Sequence, residues 1–97
     1  MVTAIILCNV DLRRIPETAQ RLLEVPEVTE VYSVSGDYDI VAIVRVREHD
    51  HLADVVTERL AAIDTITHTH TLIAFKAFSQ YDLERLFSLG AEDRVTG

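Results

Sequence analysis

The run Val2–Val10 is apolar on both of its alternating positions: Val2, Ala4, Ile6, Cys8 and Val10 share one parity, while Ile5 and Leu7 take the other. Strand side chains alternate between faces, so a strand of this kind has to be covered on both sides. Ile40–Arg47 repeats the pattern, with Ile40, Ala42, Val44 and Val46 opposite Val41 and Ile43. Two such strands need a sheet interior to occupy, with cover above and below.

The rest of the chain supplies cover for one side only. Pro16, favoured in a first helical turn, precedes Ala19, Leu22 and Leu23 at i, i+3, i+4 spacing, and Pro26 follows; this predicts one amphipathic helix. Val28, Val31, Tyr32 and Val34 mark a strand that turns through Gly36 into the Ile40 strand. Asp50 stands as N-cap before Leu52, Val55, Val56, Leu60 and Ile63, which fall on one face of a second helix, and Ile66–Phe78 returns as a strand. The order strand, helix, strand, strand, helix, strand is the split βαβ arrangement of an α+β domain, a four-stranded antiparallel sheet with both helices on one face. Its bare face calls for a second sheet, most simply a homodimer packed sheet to sheet about a two-fold axis. Residues 1–78 make this domain. In residues 79–97, Ser79-Gln80-Tyr81-Asp82 resembles a capping box ahead of Leu83, Leu86 and Phe87, so a short C-terminal helix and tail are expected, docked on the domain or on a neighbour.

Charge and length exclude several functions. A chain of 97 residues holds one core and no second module. With 9 Lys+Arg against 16 Asp+Glu, net charge −7, and its basic residues scattered, it is not built to neutralise phosphates, so no direct nucleic-acid binding is expected. No apolar run approaches the roughly 20 residues of a membrane span, and no signal-peptide pattern opens the chain, so a cytoplasmic protein is expected. Cys8 is single and lies within an apolar run, the setting of a buried, inert thiol.

Two polar constellations stand out. Val34-Ser35-Gly36-Asp37-Tyr38-Asp39 places two carboxylates and a phenol on a turn that needs only Gly and one Asp for its own geometry. A solvated turn accounts for them, as does an acid–base pair, although no nucleophile or oxyanion site accompanies it. A polar cradle also fits: turn N–H groups take up a carboxylate while Asp37 or Asp39 meets an ammonium, and a zwitterion such as an amino acid satisfies both. In Thr67-His68-Thr69-His70-Thr71 the threonines share one strand face and the histidines the other. Thr hydroxyls suit a strand with no further role, and equally suit a ligand if the Gly36 turn is near. The pairs His49/His51 and His68/His70 have the count but not the spacing of a zinc site, and no metal or cofactor is expected. Arg45 and Arg47 are read as a solvated edge or as partners of Glu30 and Glu48.

The run Val28–Val46 with its Gly-Asp-Tyr-Asp turn, followed by Ile63-Asp64 and Thr69-His70-Thr71-Leu72-Ile73, resembles the effector domain of the leucine-responsive/asparagine (Lrp/AsnC) transcription regulators, the regulation-of-amino-acid-metabolism domain. The similarity covers about residues 2 to 78. It implies a ferredoxin-like fold, dimers formed through their sheets, rings of dimers such as octamers, and a small effector, usually an amino acid, bound between dimers near the glycine turn. Carried onto this chain, the resemblance points to Gly36, Asp37, Tyr38 and Asp39 on the turn and to Thr69 and Thr71 on the last strand as ligand-binding residues, with no catalytic residue. Full-length members carry an N-terminal helix-turn-helix, whereas this sequence starts at the first strand; the expectation is a stand-alone effector domain that either modifies a full-length regulator by mixed assembly or simply binds a metabolite. Dimeric domains of the same fold also include small oxygenases and isomerases, a reading that needs His68 or His70 in a pocket beside Asp37. A purely structural assembly domain, with no pocket between dimers, is the other alternative.

Overall fold

The structure, a computed structural model, describes residues 1–78. Four strands form one antiparallel sheet: β1 (Val2–Val10), β2 (Val28–Ser33), β3 (Ile40–Val46) and β4 (Ile66–Ala74), in the order β2-β3-β1-β4. The two strands with apolar residues on both parities, β1 and β3, are the two interior ones. The α+β arrangement read from the sequence is therefore the observed one, and the expected C-terminal helix lies outside the described residues.

Helix α1 (Ile15–Leu23) follows a single 3-10 turn at Leu12–Arg14, where the Asp11 carboxylate accepts from the Arg13 N–H at 3.1 Å. Pro16 sits in the first turn of α1, where its missing N–H costs nothing. Helix α2 (His49–Asp54) begins one residue before the expected Asp50; the cap position is Glu48, whose side chain makes no cap bond. Asp50 instead lies in the first turn, where its charge suits the helix dipole. Beyond Asp54 the helix widens into a π-helical segment, Val55–Leu60, in which the Ala61 N–H reaches the Val56 carbonyl at 3.2 Å. Strand β4 stops at Ala74 rather than Phe78.

Both helices cover the same sheet face. Ala4, Ile6, Cys8 and Val10 of β1 and Ile40, Ala42, Val44 and Val46 of β3 are buried beneath them, joined by Leu22 from α1 and by Leu52, Val55 and Leu60 from the second helix. Ile6 is fully buried at the centre of this layer, and its truncation to Ala would remove about 2–5 kcal/mol of stability. Two hydroxyls share the apolar layer: Thr18 of α1 and Thr65 before β4 bond to each other, and Thr18 also donates to the Arg14 carbonyl at 2.7 Å. The pair stitches α1 to the entry of β4 without leaving a polar group unsatisfied. On the opposite face Ile5, Leu7, Val41 and Ile43 are half-buried, and Tyr32 and Leu72 are exposed, so among the described residues this apolar face has no cover.

Candidate ligand-binding site

The turn 34–39 is fastened to the end of β1. Pairing between β1 and β3 stops at Cys8–Ile40, so β1 runs on past its partner. Asp39 fills the gap: its N–H donates to the Cys8 carbonyl at 2.9 Å and its Oδ2 accepts from the Val10 N–H at 2.8 Å. The Asp39 carbonyl accepts from the Val34 N–H at 3.0 Å, closing the turn. A carboxylate oxygen thus stands in for a ladder carbonyl. Asn9 adds a second tie, its side-chain amide donating to the Asp37 carbonyl at 2.8 Å.

Gly36 has φ +115°, the one positive φ among the described residues. A Cβ there would meet nothing within 4 Å, so glycine is required by the backbone angle rather than by space. Among the described residues no hydrogen bond reaches the N–H groups of Ser35, Gly36, Asp37 or Tyr38, and the Asp37 carboxylate is exposed and unpaired. Tyr38 is half-buried with its ring tilted 45° against that of His70, centroids 6.5 Å apart.

The threonines lie elsewhere. Thr69 and Thr71 pair with Cys8 and Ile6, residues of the buried face, so both side chains lie on the helix side of the sheet. Thr69 lines a groove of about 280 Å3 with Thr67, His68, Val56 and Leu60. Thr71 lines an adjoining groove of about 270 Å3 with Ile73, Leu52, Ala53 and Val56. The two grooves share Val56 and follow the outer edge of β4. None of Gly36, Asp37, Tyr38 or Asp39 lines either of them.

His68 and His70 pair with Asn9 and Leu7 on the uncovered face, opposite in parity to the threonines. His70 meets Tyr38 rather than Asp37, and His68 reaches the first groove without a carboxylate beside it. Among the described residues no cluster of His, Cys, Asp and Glu has the geometry to hold a metal ion. Arg45 lies 4.0 Å from Glu30, as its place on the strand suggested.

Residues 3–83 match the family model for the Lrp/AsnC ligand binding domain. The chain belongs to this family. Among curated proteins it is similar to the HTH-type transcriptional regulator FL11 of Pyrococcus furiosus, 32% identical over 79 residues that make up 81% of this chain and 52% of the relative. The chain thus spans about half the length of that relative. Among solved structures it resembles TTHA0845 from Thermus thermophilus, with a TM-score of 0.76 at 39% identity over 82% of this chain and 100% of the other. E. coli AsnC gives a TM-score of 0.77 at 30% identity over 81% of this chain and 54% of that one. The ferredoxin-like sheet order is common to this Lrp/AsnC group.

One charged cluster of this Lrp/AsnC domain was not legible in its sequence. Glu27, at the entry to β2, takes a 2.8 Å bond from His51 Nε2 and lies 3.7 Å from Arg59. Burial by itself would raise the Glu27 carboxyl, but a backbone hydrogen bond, the bond to His51 and the Arg59 charge together hold it below the ordinary carboxylate range. His51 and Arg59, eight residues apart on the second helix, reach the same carboxylate. The glutamate thereby clamps the segment that carries Val56 into the two grooves.

Proposed function

We propose that this domain is a non-enzymatic sensor of a small zwitterionic effector, an amino acid, bound between copies of the chain, and that occupancy is coupled to assembly and to a partner transcription regulator. The observation that carries the reading is the set of N–H groups at Ser35–Tyr38, unpartnered among the described residues, on the turn with the positive φ of Gly36 and beside an Asp37 carboxylate that pairs with no described residue. Successive amides of this kind form an anion-binding concavity, and a carboxylate next to it suits an ammonium. Asp39 is engaged with Val10, which leaves Asp37 as the ammonium partner and Asp39 as the residue that fixes the turn. Thr69 and Thr71 lie on the helix side of the sheet in grooves that the turn does not line, so their hydroxyls are assigned to the ligand of a neighbouring protomer.

Assembly supplies the coupling. Dimers form through the uncovered sheet face, where Ile5, Leu7, Val41 and Ile43 gain a second layer, and dimers then close into a ring such as an octamer. A ligand enclosed between dimers binds the assembled state better and shifts the population towards it. The membership of relatives named as HTH-type transcriptional regulators supports a cytoplasmic co-regulator that joins a full-length Lrp/AsnC protein in mixed assemblies. The net charge of −7 argues against direct contact with nucleic acid.

Calorimetric titration with the twenty amino acids, paired with light scattering, tests the proposal. The expected result is saturable binding of one or a few of them with a change in mass, weakened by Asp37→Asn. Absence of both binding and mass change removes the sensing role.

A further inference from the structure

Among the described residues the tip of the Gly36 turn has one hydrogen bond to the sheet besides those of Asp39, and Asn9 makes it. Asn9 stands on β1 just past Cys8–Ile40, the last β1–β3 pair, where the pairing with β4 also shifts register between Asn9 and Val10. Its main chain is held on the β4 side, because its carbonyl accepts from the Thr67 hydroxyl at 3.1 Å. Its side-chain amide reaches towards the turn and donates to the Asp37 carbonyl at 2.8 Å.

The carbonyl that Asn9 holds belongs to the same peptide group as the Tyr38 N–H. In a trans peptide the two point in opposite directions, so a donor fixed on one side sets where the amide on the other side aims. Accepting a hydrogen bond also polarises the group and makes its N–H a better donor. The Tyr38 ring, tilted 45° against His70 with centroids 6.5 Å apart, steadies the residue from its other end. The amides of Ser35, Gly36 and Asp37 follow the carbonyls of Val34, Ser35 and Gly36, to which no described side chain donates. Tyr38 is thus the amide of the cradle whose direction a side chain sets.

We propose that Asn9 is a positioning residue of the effector site: through the Asp37 carbonyl it aims the Tyr38 N–H at the carboxylate of the bound amino acid. The inference rests on the reading of the turn as an amino-acid site and adds a residue that touches no ligand atom itself. Asn9 acts on the carboxylate half of the zwitterion, whereas the Asp37 side chain acts on the ammonium half. The two contributions can therefore be separated by changing one end of the ligand at a time.

The test titrates the full chain by calorimetry with the twenty L-amino acids and with their α-carboxamides, which keep the ammonium and side chain but replace the carboxylate by a neutral amide. The parent is expected to prefer the acid. In Asn9→Ala, and in Asn9→Leu, which keeps the size of the side chain but has no donor, that preference is expected to fall about tenfold, with carboxamide affinity and circular dichroism unchanged. Asp37→Asn is expected to weaken acid and carboxamide together, since both carry the ammonium. An equal loss for acids and carboxamides in the Asn9 variants would make Asn9 a structural tie alone, and an unchanged preference would show that the amide is aimed without it; either result overturns the inference and leaves the amino-acid site standing. A parent with no saturable binding, or with equal affinity for acid and carboxamide, removes the cradle and the inference with it.

Discussion

The Asp39 carboxylate accepts the Val10 amide at 2.8 Å, across a gap in the sheet that no backbone carbonyl fills. The bond is charge-assisted and half-buried, and losing its acceptor leaves the Val10 N–H unpaired. Asp39→Ala is expected to cost about 1.5–3 kcal/mol in urea unfolding. Asp39→Asn, which keeps an acceptor oxygen, is expected to cost less, and Asp37→Asn, at an exposed and unpaired carboxylate, almost nothing. Equal losses at 37 and 39 would show that the turn is not held in this way.

Gly36→Ala isolates backbone strain from packing, because the added methyl meets no neighbour. Placing an L side chain at φ +115° is expected to cost about 1–2 kcal/mol. The loss should appear as a lower thermal midpoint, with an unchanged denaturant m-value as the sign that compactness is preserved.

Glu27 predicts the acid limb of the stability curve. Its carboxyl lies lower in the folded chain than in the unfolded one, so the stability it contributes is fully present above the unfolded value near 4.5 and is lost as pH falls through the folded value. Unfolding free energies measured between pH 7 and pH 3 should therefore fall less steeply in Glu27→Gln than in the parent chain. An identical acid limb in the two proteins would contradict the clamp.

Thr18 and Thr65 are buried partners, and Thr18→Val strands the Thr65 hydroxyl, whereas Thr65→Val leaves Thr18 its bond to the Arg14 carbonyl. Thr18→Val is expected to lose about 1–2 kcal/mol and Thr65→Val less, while the double change to Val costs less than the sum. A double-mutant cycle in urea measures the difference directly.

Cys8 reports on global opening. Burial pushes its thiol up to about 11, so a thiol-specific reagent at pH 8 finds neither access nor thiolate in the folded chain. Modification is expected to proceed at the unfolding rate, and rapid labelling of the native protein would contradict a closed core.

The architecture was legible because it rests on parity and spacing. Val2–Val10 and Ile40–Val46 are apolar on both parities, and only interior strands meet that demand, so element order and the helix-covered face followed. The π-helical segment left no local mark: Leu52, Val55, Val56, Leu60 and Ile63 suit an α-helix as well as the wider one. Nor does the local sequence announce the pairing of Glu27 with both His51 and Arg59, a contact between distant parts of the chain. Asp37 and Asp39 look alike in sequence, and their division of labour depends on Val10, twenty-nine positions away. The end of β4 was misplaced by four residues because Phe75 and Phe78 continue the apolar content of a strand after its partner has run out at Thr3–Ala74.

The sheet order also sets how the domain is assembled in time. β1 lies in the interior, between β3 and β4, yet its pairs Val2–Val46 and Thr3–Ala74 join it to the middle and the far end of the described chain. Closure of those long loops precedes any gain from pairing, which makes the rate of folding a property of topology more than of helix propensity. Until β4 arrives, the most apolar ribbon of the molecule has an open edge. The nascent chain is therefore most vulnerable to aggregation at Val2–Val10, the segment that the finished fold encloses most completely.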